Sequence, residues 1–305
     1  MGVFLPPLEN AYGDGCPARW TDLAEMARVA EDVGFDSVWV PDHLLYRFPG
    51  VTTFGVWECW SLVSALAAVT DRVEIGTLVS VTLWRSPGLL AKILETVDEI
   101  SGGRIIAGLG AGSHEAEFPA FGFDDWGCRV TRFEEEISIL RTLLRTGRVD
   151  HAGRFHTLKD CELRPRGPRP AGPPIMIGAR EPRMIRLAAT YADEWNIAWR
   201  HDVNDLIAAS VEGDQACREV GRDPATLRRS ACLQVDLPNR HDYGGSELLR
   251  QGRADALKGD SDELAETLTG YGDAGISHVQ LWLDPANPAG IEAFAPVLER
   301  LKDSR

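Results

Sequence analysis

Short apolar runs alternate along this chain with longer stretches in which apolar residues return every three or four positions. Eight such runs lie at 2–5, 35–40, 72–79, 104–110, 174–178, 194–197, 230–235 and 278–283. Runs of that length, mostly apolar on both faces, suit parallel strands covered on both sides. The intervening stretches read as helices. Leu23, Met26, Ala27, Ala30 and Val33 share one face, as do Leu90, Ile93, Leu94, Val97 and Ile100. Phe133, Ile137, Leu140 and Leu144 repeat the spacing, and Ile291, Phe294, Ala295 and Leu298 repeat it near the C-terminus. Ser86-Pro87 reads as an N-cap with proline in the first turn, and Gly102 as the stop of that helix. Asp260 with Glu263 forms a capping-box pattern at a later start.

Eight strand–helix repeats predict an α/β fold, a closed (β/α)₈ barrel of the TIM type in one domain over residues 1–305. Two stretches break the alternation. Residues 148–173 carry His151-Ala152-Gly153-Arg154 and a Pro/Gly-rich tail, which predicts a hairpin inserted before strand five. Residues 236–259, after strand seven, are polar and glycine-containing and predict a mobile loop over the barrel mouth.

Composition narrows the partners. The 46 acidic and 32 basic residues leave a net charge of −14, which repels phosphate backbones and anionic headgroups. Neither nucleic acid nor membrane is therefore an expected partner. Cys16, Cys59, Cys128, Cys161, Cys217 and Cys232 are scattered without a C-x-x-C pair, fitting neither a zinc site nor a disulfide framework. No His-x-His or paired strand-end carboxylates occur, so no metal is expected. The N-terminus lacks a basic region followed by a long apolar run, and no stretch approaches spanning length. The expectation is a reduced, cytoplasmic protein acting on a small molecule, with homodimerisation left open.

In such barrels the residues just past each strand build the site. Pro41-Asp42-His43 follows strand two; the alternative is that Asp42 caps the next segment and His43 is a satisfied, partly buried side chain. The loop through Trp84-Arg85-Ser86-Pro87 follows strand three, and Gly108-Leu109-Gly110-Ala111-Gly112-Ser113-His114-Glu115 spans the end of strand four. The glycine run does not have the Rossmann spacing and reads equally as a tight turn. Gly178-Ala179-Arg180 opens directly into a helix; small residues expose backbone N–H groups there, and Arg180 adds charge. A phosphate-bearing ligand fits that turn, with an ordinary βα turn as the alternative.

Taken in order, these blocks resemble the bacterial luciferase-like family of flavin and deazaflavin oxidoreductases. The resemblance rests on residues 34–43, on Gly76-Thr77-Leu78-Val79, on 90–92 and 98–104, and on 108–112, 174–178 and 192–196. Their style is nearest the branch that uses coenzyme F420, a deazaflavin. The resemblance implies a hydride transfer between F420 and a small organic substrate. It implies that Asp42 hydrogen-bonds the ring system, with His43 at the reacting face as the catalytic candidate. It places a non-proline cis peptide at Leu78-Val79, under the ring. Gly110, Ala111 and Gly112 would line the ribityl chain and phosphate, and Gly178, Ala179 and Arg180 would complete the phosphate site. Ser113 departs from the pattern, standing where a sugar-phosphate dehydrogenase branch carries an acidic glutamate; His43 then becomes the candidate for proton transfer. Among Trp57, Trp60, Trp84, Trp195, Trp199 and Trp282, Trp84 is the candidate wall for a flat ring. His151, His156, His201 and His241 are expected at the surface. Two other readings compete: an FMN-dependent monooxygenase on the same scaffold, and a flavin-binding protein without catalysis.

Overall fold

Each of the eight apolar runs forms a strand, and the eight strands close on one another. A computed structural model describes residues 1–9, 11, 16–124, 126–237 and 255–303. The barrel strands are β1 (Gly2–Phe4), β2 (Ser37–Val40), β3 (Glu74–Thr77), β4 (Ile105–Gly110), β5 (Ile175–Gly178), β6 (Glu194–Ala198), β7 (Arg228–Asp236) and β8 (His278–Asp284). All neighbours are parallel, β8 pairs with β1, and β4 pairs with β5 through Ile175↔Ala107, Met176↔Gly108 and Ile177↔Leu109. Seven helices cross between strands: α1 (Trp20–Val33), α2 (Cys59–Val69), α3 (Pro87–Ser101), α4 (Arg129–Thr146), α5 (Pro182–Tyr191), α6 (Val203–Glu219) and α7 (Ser261–Asp273). Helices α8 (Pro288–Ala293) and α9 (Ala295–Asp303) follow β8, where the sequence pattern suggests one helix.

The helix faces pack as their spacing predicts. Phe133, Ile137, Leu140 and Leu144 of α4 are fully buried, each contributing about 1.5–3 kcal/mol by leaving water. Ile100 does not join its face; it lies in the last turn of α3 and is 47% exposed. Ser86 caps α3 through Leu89 N–H, and Gly102 ends it at φ 68°. Asp260 and Glu263 form the capping box of α7.

The insertion before β5 is the expected antiparallel hairpin, Arg148–Ala152 with Thr157–Glu162. Of the loop expected after β7, residues 238–254 lie outside the described residues. Strand β7 itself continues to Asp236, and Leu257 returns to bridge Val235. The third run is shorter as a strand than its apolar length suggests. Strand β3 stops at Thr77, and after two residues the chain pairs again with β4 through Ser80↔Leu109 and Val81↔Gly110. A second small hairpin, Leu45–Tyr46 with Phe54–Gly55, follows β2 and is not signalled by the hydrophobic pattern. No helix among the described residues is long and apolar enough to cross a membrane.

The lower barrel is plugged by Trp39, which is fully buried. A Cβ on Gly76, its in-register neighbour, would come 2.1 Å from the indole, so this position accepts no side chain while Trp39 stays. The indole N–H donates to Ser37 Oγ at 2.7 Å, and Ser37 Oγ lies 2.8 Å from His278 Nε2. Ser37 Oγ accepts from Trp39 and keeps a proton it can give to a neutral His278. Burial drives the His278 pKa down from 6.5 to about 3.

This depression carries a pH signature. Between pH 6.5 and about 3 the unfolded chain binds a proton at His278 that the folded chain refuses. Stability therefore falls as pH drops through that window, by up to about 1.4 kcal/mol per unit from this group. His278→Gln, which keeps an acceptor for Ser37, should fall less steeply in urea denaturation between pH 6.5 and 4.5. Equal slopes for the two proteins would show that His278 is protonated in the folded state.

Candidate functional site

The carboxyl ends of β2, β3 and β4 are tied together by two adjacent side chains that reach in different directions. Asp42, 1% exposed, turns toward the segment after β3. Its Oδ2 accepts from Ser80 Oγ (2.7 Å), Val81 N–H (3.1 Å) and Arg85 Nη1 (2.7 Å), and its Oδ1 accepts from Arg85 Nη2 (3.2 Å). The same Arg85 Nη2 donates to Glu58 Oε1 at 2.5 Å, and Glu58 caps α2 by accepting from Trp60 and Ser61 N–H. Trp60 completes the circuit, donating its indole N–H to Ser80 Oγ at 3.1 Å. The paired carboxylates hold the Arg85 pKa above its ordinary value although burial opposes that charge.

His43 turns the other way. Its Nδ1 lies 2.9 Å from Glu117 Oε2, and Glu117 Oε1 accepts from Leu44 N–H (2.6 Å) and Leu45 N–H (3.3 Å). Glu117 opens the four-residue helix Glu117–Ala120 after β4 and is 1% exposed. A carboxylate facing Nδ1 makes that nitrogen the proton-bearing one. Nε2 has no hydrogen-bond partner among the described residues. The ring packs on Tyr46 at 4.4 Å, and Tyr46 leans on Phe48, Phe54 and His114.

Between these two arms the chain makes its bulge. The Leu78–Val79 peptide is cis, at the position the resemblance implied. Both residues are partly exposed, between a buried Thr77 and a buried Ser80. The Val79 side chain lies across the ends of the next two strands. A Cβ on Gly110 would approach its Cγ2 to 2.6 Å, and one on Gly178 would approach its Cγ1 to 3.1 Å. Gly112 has φ 86°, and Phe118 fills the space beside it; a Cβ there would come 2.9 Å from the phenyl ring. These glycines thus make room for protein side chains as well as for backbone.

Ala179 is 6% exposed, while Arg180 is exposed and has no ion-pair or hydrogen-bond partner among the described residues. Helix α5 begins just beyond, and its N-cap Glu181 makes no side-chain cap bond. Trp84 packs on Phe118 (6.1 Å) and Phe123 (6.2 Å), with its indole N–H buried and unpartnered among the described residues. Ser113 is exposed; the carboxylate of this loop comes from Glu117, four positions on.

Sequence reasoning misses Glu117, Arg85 and Glu58. Glu117 and Arg85 have no motif spacing, and their roles arise from partners 74 and 43 positions away. The hairpin histidines also depart from expectation. His151 pairs with Glu135 at 3.2 Å and His156 with the fully buried Glu136 at 2.9 Å, docking the hairpin on α4 rather than leaving them at the surface. His201 is half-buried, its Nε2 accepting from Gln234 N–H. His241 lies outside the described residues.

A closed parallel barrel with polar side chains gathered at the carboxyl ends of its strands is the class of protein that carries active sites there. The chain belongs to the luciferase-like monooxygenase family, which it matches over residues 1–237. It is 32% identical over 220 residues to the 5,10-methylenetetrahydromethanopterin reductase of Archaeoglobus fulgidus, covering 72% of this chain and 61% of that protein. That alignment spans about three-fifths of the relative's length. An F420-dependent glucose-6-phosphate dehydrogenase of Amycolatopsis mediterranei is 28% identical over 296 residues, covering 85% of this chain and 87% of that one. The fold matches an F420-dependent secondary alcohol dehydrogenase in complex with an F420-acetone adduct, with a TM-score of 0.82, 21% identity and 98% of each chain covered.

The Asp42 circuit makes a stability prediction. Arg85→Met removes the partner of a buried carboxylate and should cost about 3–5 kcal/mol in urea denaturation, the scale of a broken buried pair. A loss below about 1 kcal/mol would show that Ser80 and Val81 suffice to hold Asp42.

Proposed function

We propose that this protein is a deazaflavin-dependent oxidoreductase that moves a hydride between coenzyme F420 and a small organic substrate. The observation that carries the reading is the shelf formed by Val79 over Gly110 and Gly178, followed in the chain by an exposed Arg180 with no partner among the described residues. The relatives named for F420 support the choice of coenzyme. Bound F420 supplies a two-electron hydride donor or acceptor.

The residues present fit such a group. Leu78 and Val79 offer a partly exposed apolar face to a flat ring, and the backbone of Gly110, Ala111 and Gly112 borders it. The Ala179 N–H is taken by Asn196 C=O at 3.3 Å and the helix opens on Pro182, so the group this turn offers a phosphate is the Arg180 guanidinium, which has no partner among the described residues. Asp42 supports the ring by holding the bulge from below, because its oxygens are occupied by Ser80, Val81 and Arg85. His43 exchanges the accompanying proton at Nε2, while Glu117 fixes the orientation of its ring.

Fluorescence titration tests the reading. F420 should bind at micromolar concentrations or below and FMN more weakly. Tight FMN binding without F420 affinity would transfer the reading to an FMN-dependent monooxygenase, and F420 binding without any turnover to a flavin-binding protein. Arg180→Ala should weaken F420 binding by about 1–3 kcal/mol, the worth of a lost charged hydrogen bond, with folding intact. An unchanged affinity would remove Arg180 from the phosphate site.

A further inference from the structure

We propose that the ends of β6, β8 and β1 build an aromatic wall that takes a flat, uncharged ring of the substrate, with Trp199 as the specificity-determining residue. The proposal deepens the deazaflavin reading and rests on it for the identity of the opposite wall.

The strand register shows which side chains face inward. Trp39 fills the barrel interior, and Phe4 lies in register with it on β1. Gly2 aligns with Gln280, so Phe4 and Trp282 share that inward face, and Gln234 aligns with Trp282 on β7. Phe4, Trp282 and Gln234 therefore form an upper inward row. The Phe4 and Trp282 rings stack at 4.3 Å and 25°.

Trp199 extends this row into solvent. It follows β6, yet its ring lies 5.9 Å from that of Trp282 on β8. Strand β7 separates β6 from β8, so the indole reaches across the end of β7 and over the mouth. Its backbone has φ 61°, a conformation bulky L-residues rarely adopt, and it is held there by Trp199 N–H donating to Cys232 C=O at 2.9 Å. The side chain remains 42% exposed. A large apolar ring is thus kept at the mouth by an unfavourable backbone, without the burial that would reward it. Such outliers mark functional positions. The Trp282 indole N–H is also buried with no partner among the described residues, a donor an oxygen on the ligand would satisfy.

Position and charge define the ligand. In a closed barrel of eight strands, β7 stands opposite β3, so this wall faces the Leu78–Val79 shelf across the mouth. A substrate between them meets the coenzyme on one side and aromatic rings on the other, which favours a flat ring. The next inward positions above Gln234 and Trp282 are Asp236 and Asp284, aligned side by side. Lys258 Nζ lies 3.8 Å from Asp236 Oδ2, so the preference for an uncharged ligand over a sugar phosphate comes from the apolar rings of the wall together with the net charge of −14.

Calorimetry on the protein alone and on the F420-loaded protein, with two ketones that differ in ring flatness, provides the test. Methyl 2-naphthyl ketone should bind at least tenfold more tightly than methyl cyclohexyl ketone, and the 2-naphthoate anion should bind more weakly than the naphthyl ketone. Trp199→Gly removes the indole at a backbone angle glycine accepts. It should abolish the preference for the naphthyl ketone, while Trp199→Phe should keep most of it; in turnover the loss should fall on KM rather than kcat. Equal binding of the two ketones by the unaltered protein, or an unchanged preference in Trp199→Gly, would overturn the wall. Loss of the preference with F420 affinity intact separates this failure from that of the deazaflavin reading. A Trp199-dependent preference in a protein that does not bind F420 would uphold the wall and overturn the coenzyme assignment.

Discussion

The Asp42–Arg85 ion pair is the contact on which the upper barrel depends. A carboxylate at 1% exposure is costly unless every oxygen finds donors, and Asp42 finds them in one place, the segment that follows β3. Satisfying it fixes Ser80 and Val81 from below, which leaves the two residues before them to bridge the gap between β3 and the re-paired strand. Arg85 in turn is fixed by Glu58 at the start of α2. The shelf is therefore held by a charge network, buried at Asp42 and open to solvent at Glu58, that spans the β2 loop, the β3 loop and the N-cap of α2. Apolar packing alone would let such a bulge relax.

Lower in the barrel the organising constraint is volume. Trp39 occupies the space that Gly2 and Gly76 leave, and most polar groups of this layer are paired internally, Ser37 with His278 and Asn196 with Ser230 and Gln280 Oε1. Gln280 Nε2 is buried without a partner among the described residues. Nothing there is arranged for exchange with solvent. The rings and carboxylates at the top are different: Val79, His43 and Trp199 keep part of their surface free while their backbones are tied down. Rigidity below and availability above follow from the same strands, since inward positions alternate and only the last of each strand meet the mouth.

The eight strands were legible because parallel strands buried on both faces must be written as apolar runs, and the helices because their spacing repeats. The end of β3 was not legible from apolar content, since Leu78, Val79 and Val81 continue the apolar run around Ser80 while the backbone changes direction. The cis bond there came from family resemblance; nothing in a Leu-Val pair announces it. Asp42 and His43 stood out by position, but the direction each would face depended on Arg85 and Glu117, distant in sequence. Among the six tryptophans it was Trp84 that stood out in the sequence as a ring wall, not Trp199. What distinguishes it, a positive φ and a contact two strands away, exists only in the folded chain.

The adjacency of Asp42 and His43 has a consequence for how such a site can vary. The two neighbours point to different partners, Asp42 to the segment after β3 and His43 to Glu117. The partners come from different loops, Arg85 and Ser80 after β3 and Glu117 after β4. The β4 loop can therefore change the group that orients His43 without disturbing the shelf. That is the pattern at Ser113 and Glu117, where a carboxylate is present in the loop but serves the histidine instead of standing at the strand end. The far wall, built on β6, β8 and β1, is independent of both arms. On the proposed function, separate loops would set support, proton transfer and substrate contact, each anchored to a barrel whose interior leaves little room for change.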